Sequence, residues 1–279
     1  MSARLSLSAF AVVMIVAGCS ATTSQPATAP PTPPSTSPVQ TVEPTESSAE
    51  STPAATRTAI KSVNWGDGRN TQGMSQGVPN PQDWYTAAFG PQTSEKILYL
   101  TFDDGPWPPY TDQVLSLLAK NNAKATFFVT GNQAQQHPDY LQRIVAGGHA
   151  LGDHSMTHAD LVGLNRAQIR SELASVQRIV GPALGACMRP PYGLIDTKVA
   201  SVSADLNLMP ILWTAHAQDW SPGSVAEMVT MLKAGTEPGA VILLHDSAGK
   251  ERTISATKQM LPWWTAQGYR FETVPACRV

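Results

Sequence analysis

The stretch Lys96-Ile97-Leu98-Tyr99-Leu100-Thr101-Phe102-Asp103-Asp104-Gly105-Pro106 decides how this chain is read. The apolar run through Leu100 predicts a buried strand over Lys96–Phe102. Two adjacent carboxylates stand at its end, where they repel each other and are costly to remove from water. Something cationic has to offset them. Further along, His154-Ser155-Met156-Thr157-His158 offers a candidate. One carboxylate with two imidazoles makes a three-ligand site with positions left open for water, as metal-assisted hydrolysis requires.

Outward from this strand the pattern alternates. Strands are expected at Ala125–Val129, His149–Asp153, Ala186–Arg189, Met209–Trp213, Ala240–Leu244 and Arg270–Thr273. Helices are expected at Tyr110–Asn121, Pro138–Ala146 and Asn165–Val180, and near Thr197–Ala204, Ser224–Ala234 and Ser255–Gln267. Pro138 suits a first helical position, and Gly147-Gly148 stops that helix. Asn165 followed three residues later by Gln168 has the spacing of a capping box. Seven strands alternating with helices argue an α/β fold with a parallel sheet, open or closed. The polar residues gather at the C-terminal strand ends. Asp103 and Asp104 follow the first, His154 the third, and Arg189 ends the fourth. Asp219 lies beyond the fifth, and His245 ends the sixth. In a barrel these ends converge on one mouth, where active sites form.

The chain has 279 residues and a formal net charge of −2, with no basic block. Neither nucleic acid nor an anionic surface is therefore expected as a partner. Arg4 precedes the short apolar run Ala9–Ala17, well below the roughly 20 residues of a membrane-spanning helix. The run leads into Val16-Ala17-Gly18-Cys19, which resembles the lipobox of bacterial lipoproteins. That resemblance implies a signal peptide over 1–19, lipidation of Cys19, and an extracytoplasmic protein anchored to the membrane. An ordinary secretory signal would export the chain equally.

Residues 20–56 are dominated by Pro, Thr, Ser and Ala and are expected to form a disordered tether. At about 3.1 Å per residue it would reach on the order of 100 Å. Residues 57–95 are expected to be irregular and packed on the main domain through Trp65, Trp84, Tyr85 and Phe89. Residues 96–279 form that domain. In an exported chain Cys187 and Cys277 suggest a disulfide. It closes a loop of about 90 residues, worth roughly 4–5 kcal/mol in the chain-entropy model. Two buried free thiols are the alternative.

Five ordered motifs now stand together: Thr101–Pro106, His154–His158, Arg189-Pro190-Pro191-Tyr192, Asp219-Trp220 and Leu243-Leu244-His245. In these the chain resembles the polysaccharide deacetylases of the NodB-homology type, carbohydrate esterase family 4, from about Lys96 to Thr273. The resemblance implies a distorted (β/α) barrel of about seven strands. It makes Asp104, His154 and His158 ligands of a divalent metal, with Zn²⁺ first and Co²⁺ or a similar ion as alternatives. Asp103 would be the general base, paired with Arg189, and water at the metal would have its pKa lowered toward about 7. His245 would be the general acid, with Asp219 bonded to its ring. The Tyr192 backbone N–H would serve the oxyanion. Trp220 and Leu243 would line an acetyl pocket. Many relatives carry aspartate where His216 stands, which bears on substrate preference.

The expected reaction is removal of acetyl groups from an N-acetylated glycan by a monomer. Peptidoglycan is the first expected substrate, chitin oligomers the second and acetylated xylan a third. A catalytically inactive glycan-binding wall lipoprotein is the competing class.

Overall fold

The computed structural model describes residues 93–279 and two short strands, β1 (Ser62–Val63) and β2 (Val78–Pro79), which pair antiparallel. The expected signal peptide, tether and the aromatics Trp65, Trp84, Tyr85 and Phe89 lie outside the described residues.

Strand β3 (Ile97–Asp103) is buried along its whole length because both its faces are packed, and parallel neighbours pair both its edges. β9 (Val241–His245) takes one edge, while β10 (Arg270–Phe271) and β4 (Ala125–Val129) share the other. The sheet continues through β5 (Ala150–Asp153), β6 (Leu184–Met188) and β7 (Met209–Pro210) on one side, and through β8 (Ala215–His216) beyond β9. The two outermost strands, β7 and β8, are joined directly by residues 211–214. A flat sheet would hold them six spacings apart, about 29 Å. Five residue steps of chain reach at most about 18 Å. The sheet must therefore curl until its edges approach each other, which is the distorted barrel.

All seven expected strands are present, and β8 is an eighth, too short to register as a pattern. The expected strand Met209–Trp213 ends early, at Pro210. The carbonyls of Ile211 and Leu212 accept from the Arg189 guanidinium, at 3.1 and 2.9 Å, instead of extending a ladder. Strand β6 begins at Leu184 rather than Ala186, and its register against β5 shifts between Leu151 and Asp153.

Seven helices follow from the described sequence: α1 (Tyr110–Lys120), α2 (Gly131–Gln136), α3 (Pro138–Ala146), α4 (Arg166–Val180), α5 (Thr197–Asp205), α6 (Val225–Ala234) and α7 (Glu251–Ala266). The Asn165/Gln168 capping box forms at α4, and a second one, Ser224/Glu227, opens α6. Helix α2 has no counterpart among the expectations; Thr130 caps it, and Gly131 and Asn132 donate to the carbonyls of Ser155 and Met156. It therefore braces the loop that carries the paired histidines.

Alternation along β3 separates two cores. Leu98, Leu100 and Phe102 join the outer cluster with Val114, Leu118 and Trp264 from the helices. Ile97 and Tyr99 point the other way and pack with Val241, Cys187, Val274 and Cys277 inside the barrel. Thr101 and Asp103 continue that inner face upward. Cys187 and Cys277 are joined in a disulfide that ties the C-terminal turn to β6. Gly185 is required beside it, because a Cβ there would lie 2.2 Å from the Cys277 carbonyl oxygen.

His149 gives a pH test of the fold. Its ring is buried, and Nδ1 accepts from the Ala125 N–H at 3.2 Å, so the proton of the neutral ring sits on Nε2. Burial, with the nearby Lys124 charge, pushes its pKa down to about 4. The unfolded chain then binds more protons than the native one below about pH 6.5. Stability should fall as pH drops from about 6.5 to about 4, by on the order of 3 kcal/mol. Denaturant midpoints of the native protein and of His149→Gln across that window test this; parallel curves would refute it.

Candidate active site

The upper end of the inner face is polar. Asp103 ends β3, and its register partner in β9 is His245, so one hydrogen-bonded rung sets a carboxylate beside an imidazole. Both border a cleft of about 460 Å³.

Asp103 is buried against Arg189, whose Nη1 donates to its Oδ1 at 2.7 Å. Arg189 is fully buried and uses every side of its guanidinium. Nη1 also donates to Thr101 Oγ1 at 2.7 Å, Nε and Nη2 reach the carbonyls of Ile211 and Leu212, and its plane lies over the Phe128 ring. A lysine could not satisfy this set, since only the planar fork presents donors in these directions.

Asp104, His154 and His158 meet as expected: one ligand atom from each lies within 4.8 Å of the others. The Asp104 Oδ1 is 3.5 Å from His154 Nε2 and 3.3 Å from His158 Nε2. His154 Nδ1 lies 2.8 Å from the Arg189 carbonyl oxygen. A carbonyl only accepts, so Nδ1 donates there and Nε2 keeps a free lone pair facing the carboxylate. The Asp104 Oδ1 is buried and lacks a hydrogen-bond partner. These residues fit a divalent cation: an orphaned anionic oxygen, an imidazole in the ligating tautomer, and a second imidazole alongside. Burial raises the Asp104 pKa, but the imidazoles of His154, His245 and His158 outweigh it and hold the carboxyl well below its usual range. It is thus ionised and ready to ligate.

The two histidines share one side through a tight loop rather than a helix. Ser155 and His158 have φ of 61° and 59°, and Asp104 has 76°. These left-handed values are costly for residues other than glycine and persist where surroundings over-determine them.

At the other side of the cleft, His245 Nδ1 lies 2.7 Å from Asp219 Oδ1, and Asp219 Oδ2 accepts from the His245 N–H and from Thr253 Oγ1. Burial pulls the His245 pKa down; Asp219, Asp103 and Asp104 outweigh that and raise it. Asp219 itself, despite burial, is held low by His245, Thr253 and Lys250. Trp220, half exposed, stands edge-on to His245 at 5.8 Å, and Tyr192, 61 % exposed, stands edge-on to His158 at 4.7 Å. Tyr192 also takes a φ of 61°. Leu243 lines the same cleft. His216 sits outside the cleft lining, its ring 5.2 Å from that of Trp220.

Every expected site residue therefore lies around one cavity or directly behind it. Sequence reasoning missed Thr101, Trp213, Asp246 and Lys250. Thr101 was findable, because it is two residues before Asp103 on a strand and so shares its face. Asp246 is buried under the Gly105 turn, bonded by Thr111 Oγ1 at 2.6 Å; burial, despite that bond, pushes its pKa up to about 7. A Cβ on Gly105 would lie 2.3 Å from the Asp246 carboxylate, so any larger residue after the paired aspartates would have to displace that buried side chain.

Known proteins resemble this chain in sequence and fold. The sequence model of the polysaccharide deacetylase family matches residues 90–211. A chitooligosaccharide deacetylase of Sinorhizobium fredii is 32 % identical over 198 residues, 66 % of this chain and 92 % of that protein. A solved peptidoglycan N-acetylglucosamine deacetylase superposes with a TM-score of 0.66 at 29 % identity, over 71 % of this chain and 96 % of that one. A family 4 carbohydrate esterase from Streptomyces lividans, solved with acetate, gives 0.60 at 30 % identity, over 65 % and 94 %.

Proposed function

Since the chain belongs to the polysaccharide deacetylase family, carbohydrate esterase family 4, we propose that it hydrolyses the acetamide of an N-acetylated glycan at the Asp104–His154–His158 centre. The observation that carries this is the meeting, in one cleft, of that ligand set with a buried Asp103–Arg189 pair and the Asp219–His245 pair.

A divalent ion held by Asp104, His154 and His158, zinc in the first instance, would supply Lewis acidity toward water and the acetyl oxygen. Asp103 takes the proton from the attacking water. Arg189 orients that carboxylate through the 2.7 Å contact. The Tyr192 N–H is assigned to the developing oxyanion. His245 delivers a proton to the departing nitrogen, which is otherwise too basic to leave. Its Nδ1 is tied to Asp219, so Nε2 presents the proton. Trp220 and Leu243 enclose the acetyl group. Peptidoglycan is the first substrate proposed, chitin oligomers the second. Anchoring outside the cytoplasm through a lipidated Cys19 is part of the same proposal and would place the cleft near the wall.

Acetate release from N-acetylglucosamine oligomers, purified peptidoglycan and acetylxylan, before and after chelation with metal add-back, tests the reading. Metal-restored release from an N-acetylated glycan supports it. Release from xylan alone makes the protein an esterase. No release, with metal bound, points to the inactive glycan-binding class.

The raised pKa of His245 has a directional consequence. A general acid works only while protonated, so kcat should fall as pH rises through that raised value. Asp219→Asn removes the main group holding it up and should move the alkaline limb to lower pH, by on the order of one unit or more. An unmoved limb would sink the assignment.

A further inference from the structure

Among the described residues lining the cleft, Lys250 alone is a lysine or arginine. Resting on the deacetylase reading above, we infer that Lys250 selects glycans bearing a carboxylate next to the acetamide. Its ammonium donates to the Asp219 backbone carbonyl at 3.2 Å, which occupies one of three N–H groups. The Asp219 carboxylate is already taken by His245 and Thr253, so it leaves Lys250 with protons to offer. The rest of the cleft beyond the catalytic and ligating groups is Trp213, Trp220, Tyr192, Leu243, Pro190 and Gly193. The carboxylates near it are already engaged: Asp219 by His245 and Thr253, Asp103 by Arg189, and Asp104 beside the two imidazoles.

Chemistry places the substrate relative to it. The departing nitrogen must sit at His245 Nε2, because Nδ1 is held by Asp219. The sugar carbon bonded to that nitrogen, and the ring with it, then lies on the His245 side. Trp220, edge-on to His245, can serve as its platform. Lys250 is fastened to the residue that orients His245. Because Lys250 and His245 line the same cleft, substituents on ring carbons adjacent to the amine carbon would face it. An acidic ether there, as in the lactyl group of N-acetylmuramic acid, would pair with the ammonium; the bare hydroxyl of N-acetylglucosamine would not.

The test measures kcat and KM of the metal-loaded full chain on two glycans. One carries free lactyl carboxylates, with its peptides removed; the other is a neutral N-acetylglucosamine oligomer. A third arm uses the first glycan with its lactyl groups amidated. For Lys250→Gln, the ratio of kcat/KM on the carboxylated over the neutral glycan should fall by up to about fivefold, through KM. Lys250→Arg should keep most of it, and amidation should mimic Lys250→Gln. Calorimetric binding of the carboxylated glycan to the chelated protein should weaken by the same factor. Equal losses on both glycans, through kcat, would overturn the inference and leave Lys250 as an anchor for Asp219. Unchanged ratios and binding would also overturn it. No acetate from any glycan, with binding still sensitive to Lys250, would instead defeat the deacetylase reading and spare the inference.

Discussion

Asp103→Asn should lower acetate release by about 10²–10⁴-fold, the usual contribution of a positioned general base, while metal content stays near that of the native protein. The amide keeps the size of the carboxylate and an oxygen for Arg189 Nη1, so the cleft keeps its shape. What it loses is the ability to accept a proton. His154→Ala should behave differently and lose metal and activity together, because its Nε2 belongs to the proposed ligand set. Elemental analysis beside kinetics separates the two outcomes. If Asp103→Asn lost its metal as well, Asp103 would be a ligand rather than a base; its Oδ2 lies 3.7 Å from His154 Nε2, so the experiment is a real choice. Retained activity would instead remove Asp103 from the chemistry.

Arg189→Met should destabilise the fold by about 3–5 kcal/mol, the cost of breaking a buried ion pair from one side. The substitution removes four hydrogen bonds and leaves Asp103, Thr101 and two backbone carbonyls without their donor. Lysine in its place would keep the charge but not the fork, and should recover only part of the loss. Measured on the chelated protein, the Asp103→Asn/Arg189→Met pair should be less destabilised than the sum of the single changes, since removing both partners removes the uncompensated charge. Additive losses would show that Arg189 stabilises through the barrel strands rather than through Asp103.

Much of the site was legible because its signals are local. Asp103 and Asp104 follow an apolar run, His154 and His158 are four residues apart, and Arg189 precedes two prolines. The helix limits Pro138–Ala146 and the Asn165 cap were legible for the same reason, since capping and proline chemistry act within a turn. The misses are equally physical. Strand β8 has two residues, too few for a period. Strand β7 was over-extended because nothing in Met209–Trp213 reveals that a guanidinium contributed by residue 189 takes its carbonyls. Lys250 looks like any solvated lysine before a helix until the fold brings it beside Trp220 and His245.

The amino-acid sequence by itself determined the α/β alternation, the residue types at the strand ends and the candidate ligand set Asp104, His154 and His158, because strand period and motif spacing act over short stretches of chain. It left the pairing of Cys187 with Cys277 open, and it could not say that Arg189 spans the barrel from β6 to Thr101, Asp103 and the segment after β7. Nor could it say that Asp246 closes under Gly105. Those contacts join segments tens of residues apart. Only the curling of the sheet, imposed by the short link between its outermost strands, brings them within hydrogen-bonding distance.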